Sequence, residues 1–273
     1  MRQRTPYVTR SNTALPKILH LIERLVGPGG CPWDQQQTPE TLCDYLIEEC
    51  FELVEAIRGK DRDEIREEMG DVFFLLFFIA QWYARKGACS LDQIWEENVA
   101  KMIRRHPHVF GDQTVTTTSE LYANWEQIKK QEKAEKHSGP ARVFASLPAS
   151  LPPLLRAYRI NAKAARIGFT WDSDKDQEAQ LGEEWEEWLE AQRSGTSEQQ
   201  EEEFGDYLFA LTEYGRRHGL KANTCLSRAN TKFLRRFEQL EDLAWSQGKD
   251  IASMSLQEMD ALWDEIKARE EQT

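Results

Sequence analysis

Residues 67–80 read EEMGDVFFLLFFIA, with Glu67, Glu68 and Asp71 set against the apolar run Val72–Ala80. The run has no polar and apolar alternation, so it reads as a helix that is apolar around most of its circumference. It falls well short of the roughly 20 residues that a membrane-spanning helix needs. The acids therefore stand at the edge of a protein core, and the rest of the chain has to explain why.

Working outward, the same pattern occurs twice. IEECFELVEA (47–56) is matched by GEEWEEWLEA (182–191), and EEMGDVFF (67–74) by EEFGDYLF (202–209). Further along, KMIRRHP (101–107) is answered by KFLRRFE (232–238), and WEQIKKQE (125–132) by WDEIKARE (263–270). PWDQ (32–35) has its counterpart in TWDS (170–173). Apolar residues return every three or four positions throughout, which predicts an all-α fold built as a tandem repeat of one four-helix module. Between the copies, HSGPARVFASLPASLPP (137–153) carries four prolines and reads as a linker. The expected organisation is a first module over 1–136, the linker over 137–153 and a second module over 154–273.

The chain has 273 residues, 35 basic against 47 acidic, for a formal net charge of −12. That balance argues against broad attraction to nucleic-acid polymers or to an anionic membrane. The N-terminal stretch lacks the apolar region of a signal peptide, and the five cysteines have no paired CxxC spacing, so neither a disulfide framework nor a zinc site is indicated. A cytoplasmic protein is expected.

On a helix, residues three and four apart share a face, so Glu48, Glu49 and Glu52 project together, as do Glu68 and Asp71 on the next helix. The short connection RGKDRD offers Gly59 and then Asp61 and Asp63 as N-cap candidates, which predicts an antiparallel hairpin with the acidic faces meeting. Glu183, Glu184 and Glu187 repeat this against Glu203 and Asp206 through RSGTSEQQ. Two carboxylates 4 Å apart repel by about 1 kcal/mol in water and about 4 kcal/mol where the effective dielectric is near 20. A hard divalent cation relieves this, and an all-oxygen set favours Mg²⁺ or Mn²⁺. A di-iron bundle would use Glu-x-x-His, and no histidine here has Glu three residues before it. A non-enzymatic helical adaptor, its acids only solvating the helices, is the alternative.

Lys232, Arg235 and Arg236 form one positive face, as do Lys101, Arg104 and Arg105, and phosphate oxygens match them. Pairing with acidic helices is the competing role. A later helix in each copy carries Trp with Lys one turn on, Trp125 with Lys129 and Trp263 with Lys267, suited either to the core or to a base and its phosphate. His106 and His108 have no counterparts in the second copy and read as local structure around Pro107.

Taken together, GGCPWDQQQT, EECFELVEA, EEMGDVFF, RRHPHVFGD and WEQIK resemble the MazG family of nucleoside triphosphate pyrophosphohydrolases in its two-domain bacterial form. The resemblance spans about Pro16 to Glu271. It implies dimerisation and Mg²⁺-dependent hydrolysis of NTPs or dNTPs to the monophosphate and pyrophosphate, with attack at the α-phosphorus. The family's acidic ligands match Glu184, Glu187, Glu203 and Asp206, and in the first copy Glu49, Glu52, Glu68 and Asp71. Glu183, or its counterpart Glu48, would be an outer ligand or the base that orients water, giving Glu183, Glu184 and Glu187 as the catalytic set. Nucleotide contacts match Lys232, Arg235, Arg236, Trp263 and Lys267, with Lys101, Arg104, Arg105, Trp125 and Lys129 as first-copy counterparts. The second module is implied to be the catalytic one. Its Trp185 and Trp188 depart from the smaller residues usual at those positions.

Overall fold

The protein is represented by a computed structural model that describes residues 14–136 and 142–271. Every regular element among them is helical, and the chain divides into two compact units, Met1–Lys136 and His137–Thr273. The first unit contains α1 (Ala14–Val26), α2 (Pro39–Gly59), α3 (Arg62–Arg85), α4 (Leu91–Arg105), the one-turn α5 (Pro107–Phe110) and α6 (Thr118–Lys136). The second contains α7 (Pro153–Arg166), α8 (Asp174–Ser194), α9 (Ser197–Arg217), α10 (Ala222–Ser246) and α11 (Leu256–Glu271). Of the stretch expected as a linker, 137–141 lie outside the described residues. Residues 142–152 contain turns and no helix, and helix resumes at Pro153.

Local chemistry sets the two hairpins. Thr38 caps α2 through a reciprocal box with Thr41, and Pro39 takes the first helical position, where its missing N–H is harmless. The turn into α3 uses Lys60 in the left-handed region (φ 61°), not Gly59, which still belongs to α2. Of the two cap candidates Asp61 does the capping, its carboxylate accepting from the backbone N–H of Asp63 and Glu64 at 2.8 and 3.3 Å. Asp63 is already inside the helix, paired with Arg66. Thr196 and Gln199 form the corresponding capping box of α9. Gly195 donates its N–H to the Ala191 carbonyl at 2.8 Å, and a Cβ there would stand 2.7 Å from that oxygen.

In the first module α2 and α1 both pack on α3 around Ile22, Leu42, Leu75 and Phe78. The apolar run of α3 buries Leu75 and Phe78 on one face and Ala80 on nearly the opposite one, and leaves Phe73 and Leu76 half exposed. Within a single chain the run is therefore only partly covered, with the gap around Phe73 and Leu76. The second module packs α8 and α7 on α9, but its interior differs in chemistry. Where the first module has Leu42, Phe77 and Phe78, the repeat places Gln177, Thr212 and Glu213, all buried. Its apolar cluster lies instead between α10 and α11, around Leu240, Ala244, Met254, Leu262 and Ile266.

Candidate active site

The hairpin α2–α3 brings Glu49, Glu68 and Asp71 together so that one carboxylate oxygen from each lies within 4.8 Å of the others. The hairpin α8–α9 does the same with Glu184, Glu203 and Asp206. The spacing explains the result: Glu68 and Asp71, or Glu203 and Asp206, are three apart and project from one helix face, and the antiparallel turn sets them opposite the glutamate of the first helix. Glu52 and Glu187, one turn further, stand near enough for their charges to act on Glu68 and Glu203 respectively. Glu48 and Glu183 are solvent-exposed.

These carboxylates are under electrostatic stress. Partial desolvation, then the charges of Glu187, Asp206, Glu202 and Glu184, raise the Glu203 pKa above its ordinary 4.5. Glu49 and Glu68 are raised in the same way, desolvation first and neighbouring acids next. Glu49 and Glu68 stand close enough for each to act on the other. In the second module Gln180 donates its amide to Oε1 of Glu184 at 2.9 Å, orienting that carboxylate.

The basic faces have partners that the sequence did not disclose. Arg235 and Arg236 both donate to Glu270 of α11, at 2.6 and 2.7 Å, and Arg104 and Arg105 both donate to Glu132 of α6 at 2.7 Å. Glu132 and Glu270 hold the last helix of each module to its basic helix, and their pKa values are lowered chiefly by hydrogen bonds from Arg105 and Arg236. Lys129 lies over the Trp125 ring at 4.1 Å, whereas Lys267 pairs with Asp264 at 2.6 Å and Trp263 faces the Arg236 guanidinium at 6.0 Å. Lys101 and Lys232 make no ion pair among the described residues. His106 accepts or donates locally, its Nδ1 2.6 Å from the Met102 carbonyl, as befits a residue between two helices. Trp185 and Trp188 form an aromatic cluster with Tyr207 and Phe204 beside the acidic hairpin, ring centroids 5.0 to 5.4 Å apart.

Comparison with known proteins gives a consistent picture. The profile of the MazG nucleotide pyrophosphohydrolase domain matches residues 37–110, which include the first acidic hairpin. The chain is 37% identical over 259 residues to a nucleoside triphosphate pyrophosphohydrolase of Escherichia coli, covering 94% of this chain and 98% of that protein. It is likewise 37% identical over 255 residues to the nucleoside triphosphate pyrophosphohydrolase/pyrophosphatase MazG of Thermotoga maritima, covering 93% and 96%. A crystal structure of a mazG-related protein from Thermotoga maritima matches 42% of this chain and 98% of its own at 29% identity, with a TM-score of 0.38.

Proposed function

Since the chain belongs to the MazG nucleotide pyrophosphohydrolases, we propose that it hydrolyses NTPs or dNTPs to the monophosphate and pyrophosphate with Mg²⁺ or Mn²⁺, and that α8 and α9 carry the reaction. Membership of an enzyme family sets the adaptor alternative aside. The observation that carries the finer reading is the carboxylate triad, formed by the same three positions of both hairpins. Its donors fit a hard cation: all are oxygens, and desolvation together with their mutual repulsion raises the Glu203 pKa, which a bound cation would offset. Glu184, Glu203 and Asp206 would hold the ion, with Glu187 from the next turn. When bound, Mg²⁺ supplies Lewis-acid charge to phosphate oxygens and eases the ionisation of water.

The remaining chemistry falls to the chain's own side chains. Glu183, exposed beside the triad, accepts a proton from water as its oxygen bonds to the α-phosphorus. The bond from that phosphorus to the α–β bridging oxygen breaks, and pyrophosphate leaves with the electron pair. Lys232 counters its charge, aided by the guanidinium donors of Arg235 and Arg236 that Glu270 does not use. Trp263 and Lys267 stand on the neighbouring helix for the rest of the nucleotide. We take the substrate to be free nucleotide and not a nucleic-acid polymer, in keeping with the net charge of −12. No described helix is long and apolar enough to cross a membrane, and we place the enzyme in the cytoplasm as a homodimer.

Incubation of a dNTP with Mg²⁺ should yield monophosphate and pyrophosphate by ion chromatography, and orthophosphate alone would refute the proposal. Asp206→Asn or Glu187→Gln should lower kcat by at least about 100-fold, as expected when a metal site loses a ligand. A second reading, that the first hairpin also works, is favoured by its identical triad and by the family profile falling on residues 37–110. Asp71→Asn decides: unchanged turnover assigns the chemistry to the second module alone.

A further inference from the structure

A cavity of about 240 Å³ opens in the first module, at the end of α3 away from Asp71. Phe78, Trp82 and Arg85 line it, seven, eleven and fourteen residues beyond Asp71. At 1.5 Å per residue that puts it roughly 10–20 Å along the helix from the carboxylate triad. The lining combines apolar side chains such as Ile22, Phe78 and Trp82 with Asp34, three glutamines and the cations Arg85 and Lys86. Asp34 is only 8% exposed, and its carboxylate has no hydrogen bond or ion pair among the described residues. Its oxygens keep contact with solvent through the cavity and stay free to accept donors from a ligand. Among the described residues Arg85 reaches only the Val26 carbonyl, at 3.4 Å, Lys86 lies 5.4 Å from the Trp82 ring centroid, and neither cation pairs with a carboxylate.

The repeat offers an internal comparison. At the position of Trp82 the second module has Arg217, which donates to Asp174, to the Trp171 carbonyl and to Thr170 at 2.7 to 3.2 Å. That clasp ties the end of α9 to the Trp-Asp entry of its module. In the first module an indole replaces it, and Asp34 is left facing a cavity.

We propose that this cavity is a second nucleotide site, one that takes a nucleoside monophosphate without a divalent ion. Its volume is below the about 300–1,000 Å³ of drug-sized sites, which suits a single base with its phosphate at the opening. Phe78 and Trp82 supply aromatic surface for the base, Asp34 accepts ring N–H donors, and Arg85 and Lys86 take the phosphate. Guanine presents two adjacent N–H donors to a carboxylate, so guanosine monophosphate is the best match among the common bases.

Calorimetric titration of the full chain in EDTA tests this independently of hydrolysis, which needs the metal. GMP should bind one site per chain more tightly than AMP, CMP, UMP or inorganic phosphate. Asp34→Asn and Arg85→Gln should each weaken it by about tenfold or more, the loss of a charge-assisted hydrogen bond, while Glu203→Gln leaves it intact. Absence of GMP binding at millimolar concentration would overturn the proposal. So would inorganic phosphate binding as tightly as GMP, or parental affinity in both variants. If Asp34→Asn fails to fold, Arg85→Gln alone decides, because that side chain is exposed.

Discussion

Glu203 is held where its own charge is unwelcome, because partial desolvation and the charges of Glu187, Asp206, Glu202 and Glu184 all favour its protonated form. A carboxyl group whose pKa is raised on folding above 4.5 lowers stability as pH climbs through the raised value, and the deficit persists at neutral pH. Glu203→Gln should therefore raise the melting temperature of the metal-free protein at pH 7.5, lose that advantage below about pH 4.5, and abolish any stabilisation by Mg²⁺. Glu270 has the opposite sign. Hydrogen bonds from Arg236 and the charges of both arginines hold its pKa down, so its contribution is present at neutral pH and is lost as pH falls below the ordinary value toward the depressed one. Glu270→Gln should lower the neutral-pH melting temperature in a thermal scan, and the difference from the parent should close as acid is added. If Arg235 and Arg236 act on phosphate, the same substitution should also change KM.

At the scale of helices, the acidic hairpins were legible because everything that makes them is local: three-and-four spacing, a Thr or Asp cap, and a turn of a few residues. The Arg–Glu270 and Arg–Glu132 clamps were not legible, since they join residues about thirty positions apart on helices whose facing is decided by packing. From sequence the arginines match phosphate or acidic helices in general, and no spacing rule singles out the glutamate that closes each repeat. Nor was the polar interior of the second module readable, because glutamine, threonine and glutamate ordinarily signal solvent. Thr212 donates to the Leu208 carbonyl and Glu213 accepts from Arg216, which satisfies both. Gln177 has no such relief: it is 2% exposed and neither polar atom of its amide has a partner among the described residues. Leucine stands at the equivalent first-module position, Leu42. Gln177→Leu should stabilise the protein by about 1–3 kcal/mol, the penalty of an unsatisfied buried polar group. Chemical denaturation measures it, and a loss of stability would mean that the amide is satisfied.

For the whole molecule, the apolar run Val72–Ala80 of α3 poses a question a single chain does not answer. The first module leaves Ile47 and Phe51 of α2, and Phe73 and Leu76 of α3, 46–56% exposed. Such spacing by three and four sets each pair on one face of its helix. The repeat-related positions of α8 are Gly182 and Glu186, so the second module carries no equally apolar face there. Apolar residues this exposed on a chain with this much charge suit association, and the proposed homodimer would cover them through a two-fold contact. That arrangement would complete the burial of the Val72–Ala80 run, whose Phe73 and Leu76 one chain leaves half exposed. Light scattering should give the mass of a dimer for the parent. The double variant Phe51→Glu, Leu76→Glu would place four like charges across the two-fold contact, and should shift the mass to that of one chain with helix content retained by circular dichroism. A monomeric parent would leave that exposure unexplained and remove the dimer from the proposed function, without touching the carboxylate triads.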